Sequence, residues 1–190
     1  MTTAKATLAH FSIDAAASLF TVQAFAAGMV AVVAHSPKFA IRDMVGGIEF
    51  VPGSLQDAFV ELSVNLGSLE IMDEVRMNER LEIERVMFDE VLEKMQYPKA
   101  QYRSSNVSAL KTAENMYRVN VKGDLALHGI TRGVGLEAQV VVGEETLRAQ
   151  GSFAINQSDF ELKIASVAGG TLKIKDELKF AYFILGRRSK

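Results

Sequence analysis

The chain has 190 residues, a formal net charge of −2 and 48% hydrophobic residues. That length and apolar share suit a single domain over residues 1–190 with a sizeable core, and they exclude disorder as a global description. The near-neutral charge leaves no dominating basic patch, which argues against a nucleic-acid partner; the absence of cysteine removes disulfides, thiolate nucleophiles and Cys-ligated zinc together.

The N-terminal stretch, Met1 to His10, lacks a basic region followed by an apolar core, so no secretory leader is read. The longest apolar run, Val22 to Ala34, is about 13 residues, short of the roughly 20 that a bilayer span takes. A soluble, cytoplasmic protein is the expectation, or a periplasmic one if a leader has been removed. The basic end Arg187-Arg188-Ser189-Lys190 reads as a solvated terminus.

Alternation places a first strand near 7–14, with Thr7, Ala9, Phe11 and Ile13 on one face, and a second near 18–25 carrying Phe20, Val22 and Ala24. Ala26 to Ala34 is small and apolar and reads as a short packed helix. Lys38 to Val51 reads as a strand or a bent pair, with Gly46-Gly47 marking a bulge or tight bend. Ala58, Val60, Leu62, Val64 and Leu66 form the next alternation. Over 73–96 the period changes. Ile83, Met87, Val91 and Met95 recur every four residues, with Phe88 and Leu92 beside them and charged residues between, which predicts one amphipathic helix. Tyr97-Pro98 should end it, because the residue before proline is pushed out of the α region. The Met-bearing stripe reads as packing over an open barrel end rather than as a partner groove.

Strands return near 99–109, 115–127, 130–143, 146–156 and 171–185. In the second and third of these, Tyr117, Val119, Val121, Leu125 and Leu127 share one parity, and Val134, Leu136, Ala138, Val140 and Val142 another. His128-Gly129 breaks the pattern between them, which is a hairpin signal. In the last strand Leu172, Ile174, Leu178, Phe180, Tyr182 and Ile184 face one way; Lys173, Lys175, Glu177 and Lys179 face the other. Eight or nine strands with mostly short connections and one main helix mean an antiparallel barrel or sandwich. The barrel is favoured because closure removes exposed edges. Small residues on the apolar parities, namely Ala58, Gly123, Ala138, Ala149 and Gly151, leave interior volume unfilled and favour a lumen over a solid core.

Chemistry is sparse. His10, His35 and His128 are far apart with no His-x-x-x-His pair, so no metal site is read. There is no Gly-x-Ser-x-Gly elbow, phosphate-binding loop or dinucleotide fingerprint; Gly133-Val134-Gly135 lies within a strand pattern. The carboxylates of 79–93 are spaced for an exposed helix face with Glu/Arg pairs. No catalytic set and no cofactor emerge. Asp176 is the polar exception on the inward parity of the last strand and reads as a rim residue or a partner for a ligand head group.

Several blocks carry a resemblance. They are Phe11-Ser12-Ile13-Asp14 followed by Ser18, then Val45-Gly46-Gly47-Ile48, and Tyr97-Pro98 before a strand. The most specific are Gly123-Asp124-Leu125-Ala126-Leu127-His128-Gly129-Ile130-Thr131-Arg132 and Phe153-Ala154-Ile155-Asn156-Gln157-Ser158-Asp159-Phe160. Gly169 to Glu177 follows as a terminal strand. Together they resemble the YceI family of lipid- or polyisoprenoid-binding proteins, with departures at Ala17, Gln157 and Glu161. The resemblance implies a mainly β protein: an antiparallel eight-stranded lipocalin-like β-barrel with an elongated apolar pocket for an isoprenoid or similar lipid, and possible assembly as a homodimer. With it go the longer amphipathic helix and the short helix read above.

The leading expectation is therefore non-enzymatic storage, carriage or sequestration of a long apolar lipid. Val60, Leu62, Val119, Val121, Leu125, Leu136, Val140, Phe153, Phe180 and Tyr182 are the expected lining. One alternative is an enzyme acting on a small apolar substrate through Asp176, His35 or Arg42 at the barrel mouth. Another is a structural or partner-binding barrel without ligand, using the 79–96 helix as interface. In the leading reading His128, Thr131 and Arg132 serve the turn and set strand register.

Overall fold

The computed structural model describes residues 7–27, 36–167 and 172–189. Three alternating stretches are each broken once by a short turn. β1 (Ala9–Ile13) and β2 (Leu19–Ala27) flank Asp14–Ser18; β3 (Lys38–Ile41) and β4 (Met44–Phe50) flank Arg42-Asp43; β5 (Phe59–Asn65) and β6 (Leu69–Ile71) flank Leu66–Ser68. The breaks have local causes. Asp14 accepts the Ala17 N–H at 3.1 Å, and Ser18 Oγ donates to the Asp14 carbonyl at 2.7 Å. Asn65 accepts the Gly67 N–H and donates to the Asp43 carboxylate, both at 3.0 Å, while Ser68 Oγ accepts the Asp43 N–H at 2.9 Å. Such side-chain bonds compete with the strand ladder, so the chain bends where they form.

β1 pairs with β4 and β4 with β5; beyond the bends β2 pairs with β3 and β3 with β6. Each broken stretch therefore runs as one bent strand. The meander continues through β7 (Lys99–Ala113), β8 (Met116–Leu127), β9 (Ile130–Val142) and β10 (Thr146–Asn156). β11 (Ser166–Val167) is a short rung on the long β12 (Leu172–Arg188). β12 pairs with β10 along one edge and with β2 and β1 along the other, which closes the sheet. Counting each bent pair once, the described residues make an eight-stranded antiparallel barrel in chain order.

Two glycine readings change. The ladder between β4 and β5 runs unbroken from Met44↔Val64 to Glu49↔Phe59, so Gly46-Gly47 marks no bulge. Gly46 instead lets the Glu61 carbonyl stand where a Cβ would be. The bend falls at Arg42-Asp43. The short helix expected over 26–34 also changes: Ala26 and Ala27 belong to β2, paired with Ile174 and Lys173, and the rest of that range lies outside the described residues.

The helix α1 (Met77–Arg85) runs into one wider turn, Val86–Val91, in which the Leu92 N–H reaches back five residues to the Met87 carbonyl at 2.9 Å. It ends at Leu92, before the expected stop at Tyr97-Pro98. Glu93 takes a left-handed φ of 44°, and the Lys94 N–H closes the end on the Phe88 carbonyl. Met95 is thereby 90% exposed and leaves the apolar stripe, which Val86 joins. His128 (φ 52°) and Gly129 (φ 77°) form the two-residue turn between β8 and β9. Two positive φ values match a type I′ hairpin. That tip docks on the segment after the helix. His128 Nε2 lies 2.8 Å from Glu93 Oε2, and its ring sits 4.4 Å from the Tyr97 ring.

Two core regions close the barrel. At the base, Phe11 and Phe50 stack at 5.5 Å, and Leu55 from the β4–β5 loop is 3% exposed. At the other end Phe20, Val86, Leu92, Leu127, Ile155 and Phe160 pack beneath the helical segment.

Candidate functional site

Inward side chains of a small barrel fill it only when they are large enough to meet at its axis. Here they enclose a cavity of about 680 Å³, within the ~300–1,000 Å³ range of ligand pockets. Its floor is Leu55, Ala58, Val107 and Leu147; Ile83, Val86, Met87, Val91 and Leu92 cover the opposite end. All ten side chains expected to face inward line this one cavity. They come from β5 (Val60, Leu62), β8 (Val119, Val121, Leu125), β9 (Leu136, Val140), β10 (Phe153) and β12 (Phe180, Tyr182). Phe153 and Phe180 stack at 4.7 Å, and Phe20 meets Phe180 edge-on at 6.1 Å, making one wall aromatic.

The open volume does not come from the strand glycines. Tyr102 crosses Gly123 and donates from its hydroxyl to the Val134 carbonyl at 3.1 Å; a Cβ on Gly123 would stand 2.7 Å from that ring. Tyr182 likewise crosses Gly151 and donates to the Glu137 carbonyl at 2.8 Å, with a Cβ on Gly151 falling 2.8 Å from its ring. Both rings thus fill the space the glycines leave, and both hydroxyls end on β9. Burial pushes each phenol up to about 12. The room in the lumen comes from the barrel circumference and from short side chains, among them Ala58, Ala138 and Ala149.

Of the polar residues expected at the mouth, Arg42 and Asp176 do not line the cavity. His35 is outside the described residues. Arg42 is exposed, with Nε 2.7 Å from Glu70 Oε2. Asp176 accepts the Ser158 N–H at 2.8 Å and the Ser158 hydroxyl at 2.5 Å, and these bonds hold its carboxyl below the usual range. It secures the turn at Gln157–Phe160 and does not line the cavity. The polar lining is instead Asp73, Glu79, Glu82, Gln101 and Gln157 together with the two tyrosines. Gln157 is buried, and its Nε2 donates to the Lys175 carbonyl at 2.8 Å. Alternation gave no sign of Gln157, which lies past the end of β10. Tyr102 sat in a legible strand, but its place over Gly123 depends on register. Among the described residues no three His, Asp or Glu side chains gather as a metal site, and no helix is long and apolar enough to cross a membrane.

An up-and-down barrel, closed at its base and hollow around an apolar lumen, is the class that this fold and cavity define. The chain belongs to the YceI family: the YceI-like domain matches residues 11–183. BcnA of Burkholderia cenocepacia is similar in fold, with a TM-score of 0.71 at 18% identity over 91% of this chain and 98% of that one. A polyisoprenoid binding domain from Saccharophagus degradans gives 0.66 at 16% identity, over 96% and 100%. The Campylobacter jejuni YCEI protein gives 0.57 at 16% identity, over 79% and 83%. Comparison with curated proteins gave no match.

Proposed function

We propose that this protein holds an isoprenoid or other long apolar lipid in its barrel lumen and performs no reaction on it. The observation that carries the reading is the apolar cavity of about 680 Å³ with side chains from β5, β8, β9, β10 and β12 converging on it. Each buried methylene contributes about 0.8 kcal/mol. Ten of them supply roughly 8 kcal/mol, the scale of micromolar affinity, before the cost of immobilising the chain. A fold neighbour described as a polyisoprenoid binding domain supports the choice of ligand class. The non-enzymatic part is supported by the tyrosine hydroxyls. Both are committed to backbone carbonyls, Tyr102 to Val134 and Tyr182 to Glu137.

The test is purification without detergent, organic extraction and mass spectrometry, followed by uptake of prenyl alcohols by the stripped protein. The expected result is a co-purifying apolar lipid or saturable uptake. Replacing Leu136 or Val119 with tryptophan should narrow the lumen and weaken uptake in a protein that still folds. Neither lipid nor uptake in the wild-type protein overturns the proposal.

A further inference from the structure

The two ends of the lumen are built differently. The floor is a stopper formed by the loop between β4 and β5. Leu55 and Ala58 of that loop line the cavity with Val107 and Leu147, and all four belong to one packed cluster. Leu55, Val107 and Leu147 are at most 3% exposed. Hydrogen bonds tie the loop to the wall. The Asp57 N–H donates to the Val107 carbonyl at 3.0 Å, the Ala109 N–H to Gln56 Oε1 at 3.3 Å, and the Tyr117 hydroxyl to the Gly53 carbonyl at 3.4 Å. The Phe11–Phe50 stack belongs to the same cluster, so a chain in the lumen cannot pass out through the base. The cover at the opposite end is looser: α1 itself carries no fully buried side chain.

We propose that this floor sets the length of chain the protein holds, with Leu55 and Ala58 as the residues that fix it. This rests on the lumen-binding reading above. A methylene takes the space of a liquid water molecule, about 30 Å³. A cavity of about 680 Å³ therefore has room for roughly twenty carbons, about four isoprene units. A shorter chain leaves part of the lumen unfilled and forgoes burial there. A longer one cannot advance past Leu55, so its further units stay at the α1 end, outside the cavity, and gain no burial. Truncating Leu55 deepens the lumen, and a larger side chain in place of Ala58 raises its floor.

The experiment offers the stripped protein an equimolar mixture of farnesol, geranylgeraniol, geranylfarnesol and solanesol, prenyl alcohols of rising length. The protein is then reisolated, extracted and analysed by mass spectrometry. Wild type should retain mainly geranylgeraniol. Ala58→Leu should raise the ratio of farnesol to geranylgeraniol, and Leu55→Ala that of geranylfarnesol to geranylgeraniol, each by at least about fourfold, the value of one buried methylene. Every variant meets the same mixture, so differences in solubility cancel. Circular dichroism checks folding. The two shifts run in opposite directions, so either folded variant decides by itself, and the wild-type preference is a test that needs neither. Solanesol as the main wild-type species, or a folded variant whose ratio falls short of the expected change, overturns the proposal. Chains bound without selection by length overturn it alone, whereas no chain bound by the wild type removes the lumen-binding reading as well.

Discussion

Tyr102 and Tyr182 each reach across a neighbouring strand at a glycine and donate a hydrogen bond to β9. Any side chain at Gly123 or Gly151 meets both a ring and a backbone carbonyl. Gly151→Ala should therefore cost about 1–3 kcal/mol, the usual range for overpacking, read by urea denaturation. The same tyrosines set an alkaline limit. Folding raises their pKa values from 10 to about 12, so between those values the folded state keeps protons that the unfolded state has released. Their contribution is complete below pH 10 and is lost as pH rises through 12. Stability should fall across that window, and the Tyr102→Phe/Tyr182→Phe variant should flatten the fall. A wild-type profile that is level from pH 10 to 12 contradicts the argument.

At the scale of elements, the β8–β9 hairpin holds the helical segment. The His128 ring, 4.4 Å from Tyr97, and its contact with Glu93 tie the hairpin tip to the chain just past the helix end. His128→Asn keeps a residue that tolerates the left-handed conformation but removes the ring. A loss of about 0.5–1.5 kcal/mol is expected from the tilted ring contact alone, with faster amide exchange over α1 as the local signature. The turn at 157–160 is held from β12 instead. Asp176 lies below its ordinary 3.8 because it accepts from Ser158, so its contribution is present above that value and fades as pH falls through the lowered one. Asp176→Asn should blunt the acid sensitivity of that turn, as followed by exchange of the Ser158 amide. The four-residue recurrence made the helix legible; its end was not, because Glu93 turns left-handed where the hairpin tip meets it.

At the scale of the molecule, a ligand that binds only the closed barrel stabilises it by mass action. At a hundred times its dissociation constant the gain is about 2.7 kcal/mol, and a chain of this size gains roughly 2–4 °C in Tm per kcal/mol. A prenyl alcohol at that excess should raise Tm by about 5–10 °C, and the Leu136→Trp variant should show a smaller rise at the same ligand concentration, both measured by calorimetry. An equal rise in the variant would place the ligand outside the lumen.

Alternation belongs to a single strand, so the sequence by itself determined the strands, the inward parities and the ten side chains that meet in the cavity. The bends could not be read that way. Asp43, Asn65 and Ser68 come together only once β3 through β6 are paired. Nor could the fate of the small residues. Gly123 and Gly151 suggested empty space, and register put Tyr102 and Tyr182 over them. Asp176 shared the inward parity yet is taken up by Ser158, more than a dozen residues away in sequence. Only the tertiary structure decided that the barrel is hollow and that its charged lining lies at the α1 end. Cavity volume depends on circumference and register, and those arise from pairing between strands, which no single stretch of sequence contains.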